Sequence, residues 1–333
     1  MPELRIDPLS GHRTIVAGER SRRPGGEPRS APAEPIDAAG DPFAEGHEDR
    51  TPPELDAMRP DGGVADGPGW TVRVVPNLYP ALEPPGPGGP GDGATGTARG
   101  APELFVSMPA TGAHEVVING PQSVLSLADL PVEQVEAAVE MWQRRMRAHS
   151  DAPYVQLIVN ERREAGASLP HTHAQLYALG FVPAAVARER ERSAAYTTQT
   201  MGQSLLGDLV AEEVRRGERV VAIDEEAVLL APFASRLPFQ LMLVPRRPRP
   251  RFEDEGPAGA ALLHEGLQRL ARRLGASPPL NMWVRTAPRG AEDFCWRIDV
   301  MPRLTHLAGL ELSTELNLNI VAPEDAARML REA

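Results

Sequence analysis

The sequence has almost no cysteine and no lysine at all. Cys295 is the only thiol among 333 residues, which excludes an intrachain disulfide and a zinc site built from several thiolates. All 35 basic residues are therefore arginines, and alanine, glycine and proline are abundant. We attribute this bias to genomic composition rather than to a chemical role.

Long apolar runs and a positive net charge are missing as well. No stretch approaches the roughly 20 apolar residues of a membrane span, and the segment Met1–Ile15 lacks the apolar core of a signal peptide. We therefore expect a soluble, cytoplasmic protein. The net charge of −11 argues against nucleic acid as a partner, although local arginines can still bind a small anionic substrate.

Two segments are rich in glycine and proline and show little periodicity, residues 24–68 and residues 83–102. Such composition does not support a packed core, so both segments are predicted to be loops. The second is predicted to be an insertion near 83–102 at the surface.

The rest of the chain shows the same order of elements twice: a strand pair, a helix and two late strands. In the first half these are predicted at Leu104–Val106, Glu115–Ile118, Pro131–His149, Tyr154–Asn160 and Gln175–Gly180. In the second half, a hairpin, a third strand, a helix and two late strands are predicted at Arg219–Ile223, Ala227–Ala231, Phe239–Val244, Ala258–Leu274, Leu280–Arg285 and Trp296–Met301. This order predicts an α+β fold made of a duplicated unit, with an antiparallel sheet and flanking helices.

The stretch from Ser168 to Gln175 contains the most informative polar residues. His171, His173 and Gln175 alternate, so in an extended segment their side chains point the same way. An imidazole has a pKa near neutrality and is a suitable nucleophile for phosphorus, provided that its other ring nitrogen is held by an acceptor. A glutamine next to it can donate to a phosphate oxygen without supplying a proton, which favours group transfer over hydrolysis.

A His-X-His pair on its own is not specific to catalysis, since it also occurs as a pair of metal ligands or by chance on a polar strand. The nearby Asn160, Gly166 and Ser168 favour the catalytic interpretation here.

The segment Gly166-Ala167-Ser168-Leu169-Pro170-His171-Thr172-His173-Ala174-Gln175 resembles the active-site signature of galactose-1-phosphate uridylyltransferases, a branch of the histidine-triad superfamily. Further similar segments are residues 5–11, 20–24, 48–54, 75–81, 112–116 and 323–331. The resemblance implies a homodimeric nucleotidyltransferase of galactose metabolism with two histidine-triad-like domains. We expect them at residues 1–185, which carry the motif, and at residues 186–333, which lack it.

The resemblance also implies roles for individual residues. His173 would be the nucleophile that takes UMP from UDP-glucose, with His171 as its catalytic neighbour. Gln175 and Ser168 would contact the transferred phosphoryl group. Substrate-binding positions matched by the resemblance are Asn160, Arg20, Arg23 and Asn77.

One departure from the family concerns its structural zinc. The chain has Asp41-Pro42-Phe43-Ala44 where relatives commonly carry Cys-Pro-Phe-Cys, and only Asp41, His114 and His171 are left as weak candidate ligands. Three such ligands without sulfur make a poor zinc site, so we expect no metal and no other cofactor. The segment Phe294–Asp299 likewise lacks the histidine of a second metal site reported for some relatives.

Three functions are compatible with the sequence. The sequence favours the first, uridylyl transfer from UDP-glucose to galactose 1-phosphate, with a nucleotide sugar and a sugar 1-phosphate as substrates. The second keeps His173 but uses inorganic phosphate as the acceptor, which makes a nucleotidyl phosphorylase acting on ADP-sugars or dinucleoside polyphosphates. The third is a non-catalytic nucleotide-binding protein.

Overall fold

The computed structural model describes residues 2–19, 28–84, 104–105, 107, 109–254 and 259–333. The described strands are β1 (Glu3–Ile6), β2 (Arg13–Val16), β3 (Asp56–Met58), β4 (Val72–Pro76), β5 (Gly112–Ile118), β6 (Tyr154–Glu161), β7 (His173–Leu179), β8 (Val220–Ile223), β9 (Ala227–Leu230), β10 (Leu241–Pro245), β11 (Leu280–Arg285), β12 (Arg297–Pro302) and β13 (Asn317–Asn319). The described helices are α1 (Val132–Ala148), α2 (Ala184–Gln199), α3 (Leu205–Arg216), α4 (Ala260–Leu274), α5 (Gly309–Thr314) and α6 (Pro323–Arg331).

Ten of these strands form one sheet, in the order β3-β4-β5-β7-β6-β11-β12-β10-β9-β8. Every neighbouring pair in it is antiparallel. Strands β6 and β11 pair at the centre, so five strands come from each half of the chain. The predicted α+β class, with a large antiparallel sheet and flanking helices, is confirmed. The predicted division after residue 185 falls within α2 and stays a prediction.

One face of the sheet is covered by helices and forms the core. Val135, Val139, Trp142 and Met146 recur at helical spacing along α1 and are fully buried. On β6 and β7 the core residues alternate with side chains that point to the other face. That other face carries His173 and Gln175. The hydrophobic pattern therefore fixes the register that sends the polar residues of the motif to the open face.

The two ends of the chain meet in a second, smaller sheet. Strands β1 and β2 pair antiparallel, and β13 pairs parallel with β2. The Arg5 guanidinium donates to Glu324 of α6 at 2.9 Å, and Arg219 donates to the same carboxylate at 2.7 Å. These contacts hold the N-terminal hairpin against the second half of the molecule.

Some sequence predictions differ from the structure. Leu104 and Phe105 form a bend, and Val106 lies outside the described residues; the partner of β5 is β4 instead. Helices α2 and α3 were not predicted, and α2 has few apolar residues at helical spacing. Residues 85–102 of the predicted insertion also lie outside the described residues. Within the described part of the chain, no helix has both the length and the apolar character needed to cross a membrane.

Candidate active site

His173 is the first residue of β7, opposite Ile118 of β5, and only 3% of it is exposed. Its Nδ1 lies 2.7 Å from the backbone oxygen of His171. A carbonyl oxygen only accepts, so Nδ1 carries the proton and Nε2 carries the lone pair. Burial lowers the pKa of His173 below 6.5, and the neighbouring His171 ring lowers it further. The ring is therefore a neutral base at pH 7.

Gln175 lies two residues further along β7, and its side-chain oxygen has two donors. The Nε2–H of His114 donates to it at 3.1 Å, and the hydroxyl of Tyr177 donates at 2.9 Å. His114 accepts from the Ala81 N–H through Nδ1 at 3.1 Å, which fixes its tautomer. Burial lowers the pKa of His114, which keeps it neutral. With its oxygen occupied, Gln175 directs its amide N–H groups at the pocket.

A pocket of about 450 Å³ opens beside these two residues. Its size suits a nucleotide, and its wall is largely apolar, as expected where a base and ribose bind. Among the described residues, Arg50 is the one basic side chain on this wall. The lining residues are Pro42, Phe43, Arg50, Thr51, Pro52, Val75, Pro76, Asn77, Leu78, Tyr79, Val116, Ser168, Leu169, His173 and Gln175.

The structure therefore brings His173, Gln175, Ser168 and Asn77 together as the sequence predicted. Asn160 follows Val159, the partner of Ala174, and so lies beside His173 on the sheet, but it is not on the pocket wall. The oxygen of its side chain accepts from Asn281 of β11 at 2.8 Å. Arg20 and Arg23 lie outside the described residues.

His171 does not share the pocket with His173. It precedes β7, where the chain is not yet extended as a strand, and its side chain is fully buried. Its Nδ1 lies 2.7 Å from the Asp41 carboxylate and its Nε2 lies 2.8 Å from the Gly120 oxygen. Because both neighbours are acceptors, a proton on each ring nitrogen satisfies both contacts, and the resulting imidazolium pairs with Asp41. The His171 ring also packs edge-on against Phe43, with centroids 6.1 Å apart, but unlike His173 and Gln175 it does not line the pocket.

Asp41 is held as a carboxylate by this arrangement. Burial alone would raise its pKa, but hydrogen bonds from His171 and Ser123 outweigh that effect and lower it. The Ser123 hydroxyl donates to the carboxylate at 2.6 Å.

The residues present do not fit the structural zinc of the family. Both ring nitrogens of His171 are occupied, so neither offers a lone pair to a metal. His114, the third weak candidate, lies on β5 four residues before the partner of His173, about 13 Å along the strand. In the described part of the chain, no group of three His, Cys, Asp or Glu side chains is placed to hold a metal ion.

Sequence reasoning missed four side chains at the site: Phe43, Arg50, Thr51 and Tyr177. Phe43 sits edge-on to the His173 ring, with centroids 5.3 Å apart. Arg50 and Thr51 belong to the Glu-Asp-Arg-Thr-Pro segment within residues 48–54, which was the available signal for them. Tyr177 continues the alternation of His173 and Gln175 along β7, and that spacing alone would have found it.

Comparison with known proteins identifies the family. Residues 2–183, more than half of the chain, match the family model described as galactose-1-phosphate uridyl transferase, N-terminal domain. The chain belongs to the galactose-1-phosphate uridyl transferase family. The resemblance seen in the sequence is thereby confirmed. Residues 127–332 also match a model described as a domain of unknown function, DUF4921.

Relatives of the chain include two kinds of enzyme. An ADP-glucose phosphorylase of Arabidopsis thaliana is 29% identical over 99% of this chain and 93% of its own length. A galactose-1-phosphate uridylyltransferase of Cryptococcus neoformans is 27% identical over 99% of this chain and 89% of its own length. As a member of this family, the protein is an enzyme, a nucleotidyltransferase.

Solved structures agree with this assignment. The crystal structure of an ADP-glucose phosphorylase from Arabidopsis thaliana with bound ADP-glucose superimposes with a TM-score of 0.79, at 26% identity, over 100% of this chain and 99% of that one. A uridylyltransferase structure gives a TM-score of 0.70, at 25% identity, over 100% of this chain and 98% of that one.

A buried glutamate makes a hydrogen bond to the threonine that lies between the two histidines of the motif. Glu161, at the end of β6, is 1% exposed and accepts from the Ser126 hydroxyl at 2.6 Å and the Leu127 N–H at 2.7 Å. It also bonds the Thr172 side chain, between the two histidines. Burial raises the pKa of Glu161 to about 7, despite these donors.

Replacing Glu161 by Gln is expected to remove a pH dependence of stability. The unfolded carboxyl releases its proton near 4.5 and the folded one at about 7, so the free energy of unfolding falls as pH rises between these values. The difference corresponds to about 3 kcal/mol. Urea unfolding at pH 5 and pH 8 measures it, with Glu140→Gln on the exposed side of α1 as the control. Equal pH slopes for wild type and Glu161→Gln would refute the prediction.

Replacing Tyr177 by Phe is expected to lower kcat about tenfold while KM changes little, because one of two donors that orient Gln175 is lost. Steady-state kinetics with the nucleotide sugar that the protein consumes measures both constants. Tyr196→Phe on α2 is the matched control, since that hydroxyl bonds Asp208 at 2.7 Å and does not line the pocket. An unchanged kcat in Tyr177→Phe would show that Gln175 is oriented without it.

Proposed function

We propose that this protein transfers a nucleoside monophosphate from a nucleoside diphosphate sugar to a phosphate acceptor, through a covalent intermediate on Nε2 of His173. The observation that carries this proposal is the buried, neutral His173 ring, whose Nδ1–H is bound to a backbone oxygen and whose Nε2 faces a nucleotide-sized pocket. The substrates are then a nucleotide sugar and a phosphate or sugar 1-phosphate.

The first step forms one bond and breaks one. The Nε2 lone pair attacks the phosphorus that carries the nucleoside, and the bond from that phosphorus to the oxygen of the sugar 1-phosphate breaks. The sugar 1-phosphate leaves with the electron pair, so no proton has to be supplied. The ring becomes a cation, which the His171 carbonyl stabilises through the Nδ1–H.

The site residues have complementary tasks in this step. The amide of Gln175 and the hydroxyl of Ser168 donate to the oxygens of the transferred group, where charge develops. Arg50, at the pocket wall, provides positive charge for the phosphates. In the second step, an oxygen of the acceptor phosphate attacks the same phosphorus and the bond to Nε2 breaks.

The acceptor distinguishes two enzymes. We favour phosphorolysis of ADP-glucose, which gives ADP and glucose 1-phosphate, because the ADP-glucose phosphorylase is 29% identical, against 27% for the uridylyltransferase, and its structure has a TM-score of 0.79, against 0.70. Uridylyl transfer from UDP-glucose to galactose 1-phosphate, the function favoured by the sequence analysis, is the second candidate, supported by the uridylyltransferase relatives.

A product assay separates the candidates. The purified protein is incubated with ADP-glucose or UDP-glucose, each with inorganic phosphate or galactose 1-phosphate, and nucleotides are resolved by ion-exchange chromatography. Formation of ADP from ADP-glucose and phosphate is the expected result. UDP-galactose as the main product would establish the second candidate instead. Consumption of neither nucleotide sugar would overturn the proposal.

A further inference from the structure

A second cavity, of about 130 Å³, lies on the same face of the sheet as His173, beside strands β9 to β12. Trp283 and Arg285 extend from β11 into its wall, on the face opposite to the core residues Met282 and Val284. The N-terminal hairpin and helices α2 and α3 form the other sides. The proposed mechanism at His173 uses none of these residues.

One buried donor on this wall, the indole Nε1 of Trp283, has no hydrogen-bond partner among the described residues. The Nε of Arg285 also makes no hydrogen bond there, but it lies 3.4 Å from the Glu189 carboxylate and is ion-paired with it. A buried polar group without a partner costs about 1–3 kcal/mol, so such groups usually face a ligand.

Arg236 is a third donor on the wall of this cavity. Its guanidinium contacts the Met301 sulfur at 3.0 Å and lies 5.8 Å from the centre of the Trp283 ring. A thioether is a weak acceptor, and within the described ranges no carboxylate lies at ion-pair distance from Arg236. Burial disfavours the charged form of Arg236 and so lowers its pKa. An anion bound beside the guanidinium would stabilise that charged form.

Three of the four carboxylates of the wall are ion-paired, and the fourth, Asp7, accepts from the Ser10 hydroxyl and from two backbone N–H groups. Arg297 donates to Asp299 at 3.0 Å through Nε and to Glu189 at 3.0 Å through Nη2. The Glu213 carboxylate accepts a hydrogen bond from the Nε of Arg219 at 2.9 Å. None of the unpartnered buried side-chain atoms on this wall is an acceptor.

We propose that this cavity binds a small tetrahedral oxyanion, either inorganic phosphate or the phosphate end of a small ester, between Arg236, Arg285 and Trp283. The cavity is less than a third of the volume of the nucleotide pocket and does not admit a nucleotide. Arg188, exposed on α2 at the rim, provides a further positive charge for entry.

The two sites are separate places on the sheet. Trp283 and Arg285 lie on β11, which is separated from β7 by β6, so the two strand axes lie about 10 Å apart. A phosphate at His173 therefore does not occupy the second cavity, and the two proposals fail independently.

Calorimetric titration of the full-length protein with inorganic phosphate at low ionic strength tests the proposal. Wild type and the nucleotide-site variant Arg50→Met should bind phosphate at this cavity with the same Kd. Arg236→Met and Trp283→Phe should each weaken that binding, Arg236→Met by at least about tenfold. Arg247 is exposed and lines neither cavity, so Arg247→Met is the control and should bind phosphate as wild type does.

Circular dichroism and thermal unfolding verify that each variant is folded. Arg236→Lys keeps the positive charge and should retain part of the affinity for phosphate.

Other titrants define the class of ligand. Glucose 1-phosphate binding with the same dependence on Arg236 would identify an ester as the occupant, and binding of phosphate alone would identify the free ion; both support the proposal. Acetate binding as tightly as phosphate would overturn the tetrahedral class. Phosphate binding that is absent in wild type, or unchanged in Arg236→Met and Trp283→Phe, would overturn the site.

Discussion

Replacing His173 by glycine is expected to lower kcat for nucleotide transfer by at least about 10⁴-fold, because it removes the atom that bonds to phosphorus. The pocket keeps its other walls in this variant, so the affinity for the nucleotide sugar should change little. Turnover assays with a high enzyme concentration, together with equilibrium binding of the nucleotide sugar, measure the two quantities separately.

A histidine outside the site controls for this substitution. His306 is exposed and does not line the pocket, so His306→Gly should keep wild-type turnover. Turnover of His173→Gly within tenfold of wild type would exclude His173 as the nucleophile. The pH profile adds a check: since burial lowers the pKa of His173 below 6.5, protonation should reduce activity only at lower pH than for an ordinary imidazole.

The second large effect is expected on stability. Asp41→Ala leaves the fully buried His171 ring without its carboxylate, and breaking a buried ion pair by removing one partner costs about 3–5 kcal/mol. Urea unfolding at pH 7 measures this loss. Asp41→Asn, which still offers an acceptor to Nδ1 of His171, should lose less.

Two controls make this result specific. Asp49 is exposed eight residues later, and Asp49→Ala should change the free energy of unfolding by less than about 0.5 kcal/mol. In the double variant Asp41→Ala and His171→Leu, the losses should not add, because the two residues stabilise each other. Additive losses would contradict the pairing.

We propose that the Asp41–His171 pair stands where other family members hold their zinc. Metal analysis of protein purified without a chelator should then find no zinc bound to the chain. Zinc at one ion per chain would contradict this.

Several elements with strong periodicity were predictable from the sequence, although α3, whose apolar residues also recur at helical spacing, was missed. The helical spacing of Val135, Val139 and Trp142 predicted α1, and the strand-like stretch Leu280–Arg285 predicted β11 with its observed bounds. Where periodicity is weak, as in the charged helix α2, the prediction failed. The pairing of β13 with β2 connects residues about 300 positions apart, and no local pattern encodes such a contact.

The part of the site that lies within one strand was predictable from the sequence. His173 and Gln175 share a face because both lie within β7, so the alternation rule applies to them. His171 lies outside that strand, and its partner Asp41 is 130 residues away in sequence. The orientation of Gln175 likewise depends on His114, which arrives from β5. Tertiary contacts, not spacing, decide these features.

Intact-mass measurement tests the central claim most directly. The protein is mixed with ADP-glucose or UDP-glucose in the absence of an acceptor and quenched at alkaline pH, because a phosphorus–nitrogen bond is hydrolysed in acid. We expect a mass gain of one nucleoside monophosphate, located on His173 by peptide mapping and absent in His173→Gly, with release of one glucose 1-phosphate per adduct. No adduct with either nucleotide sugar, or an adduct that persists in His173→Gly, would contradict transfer through this histidine.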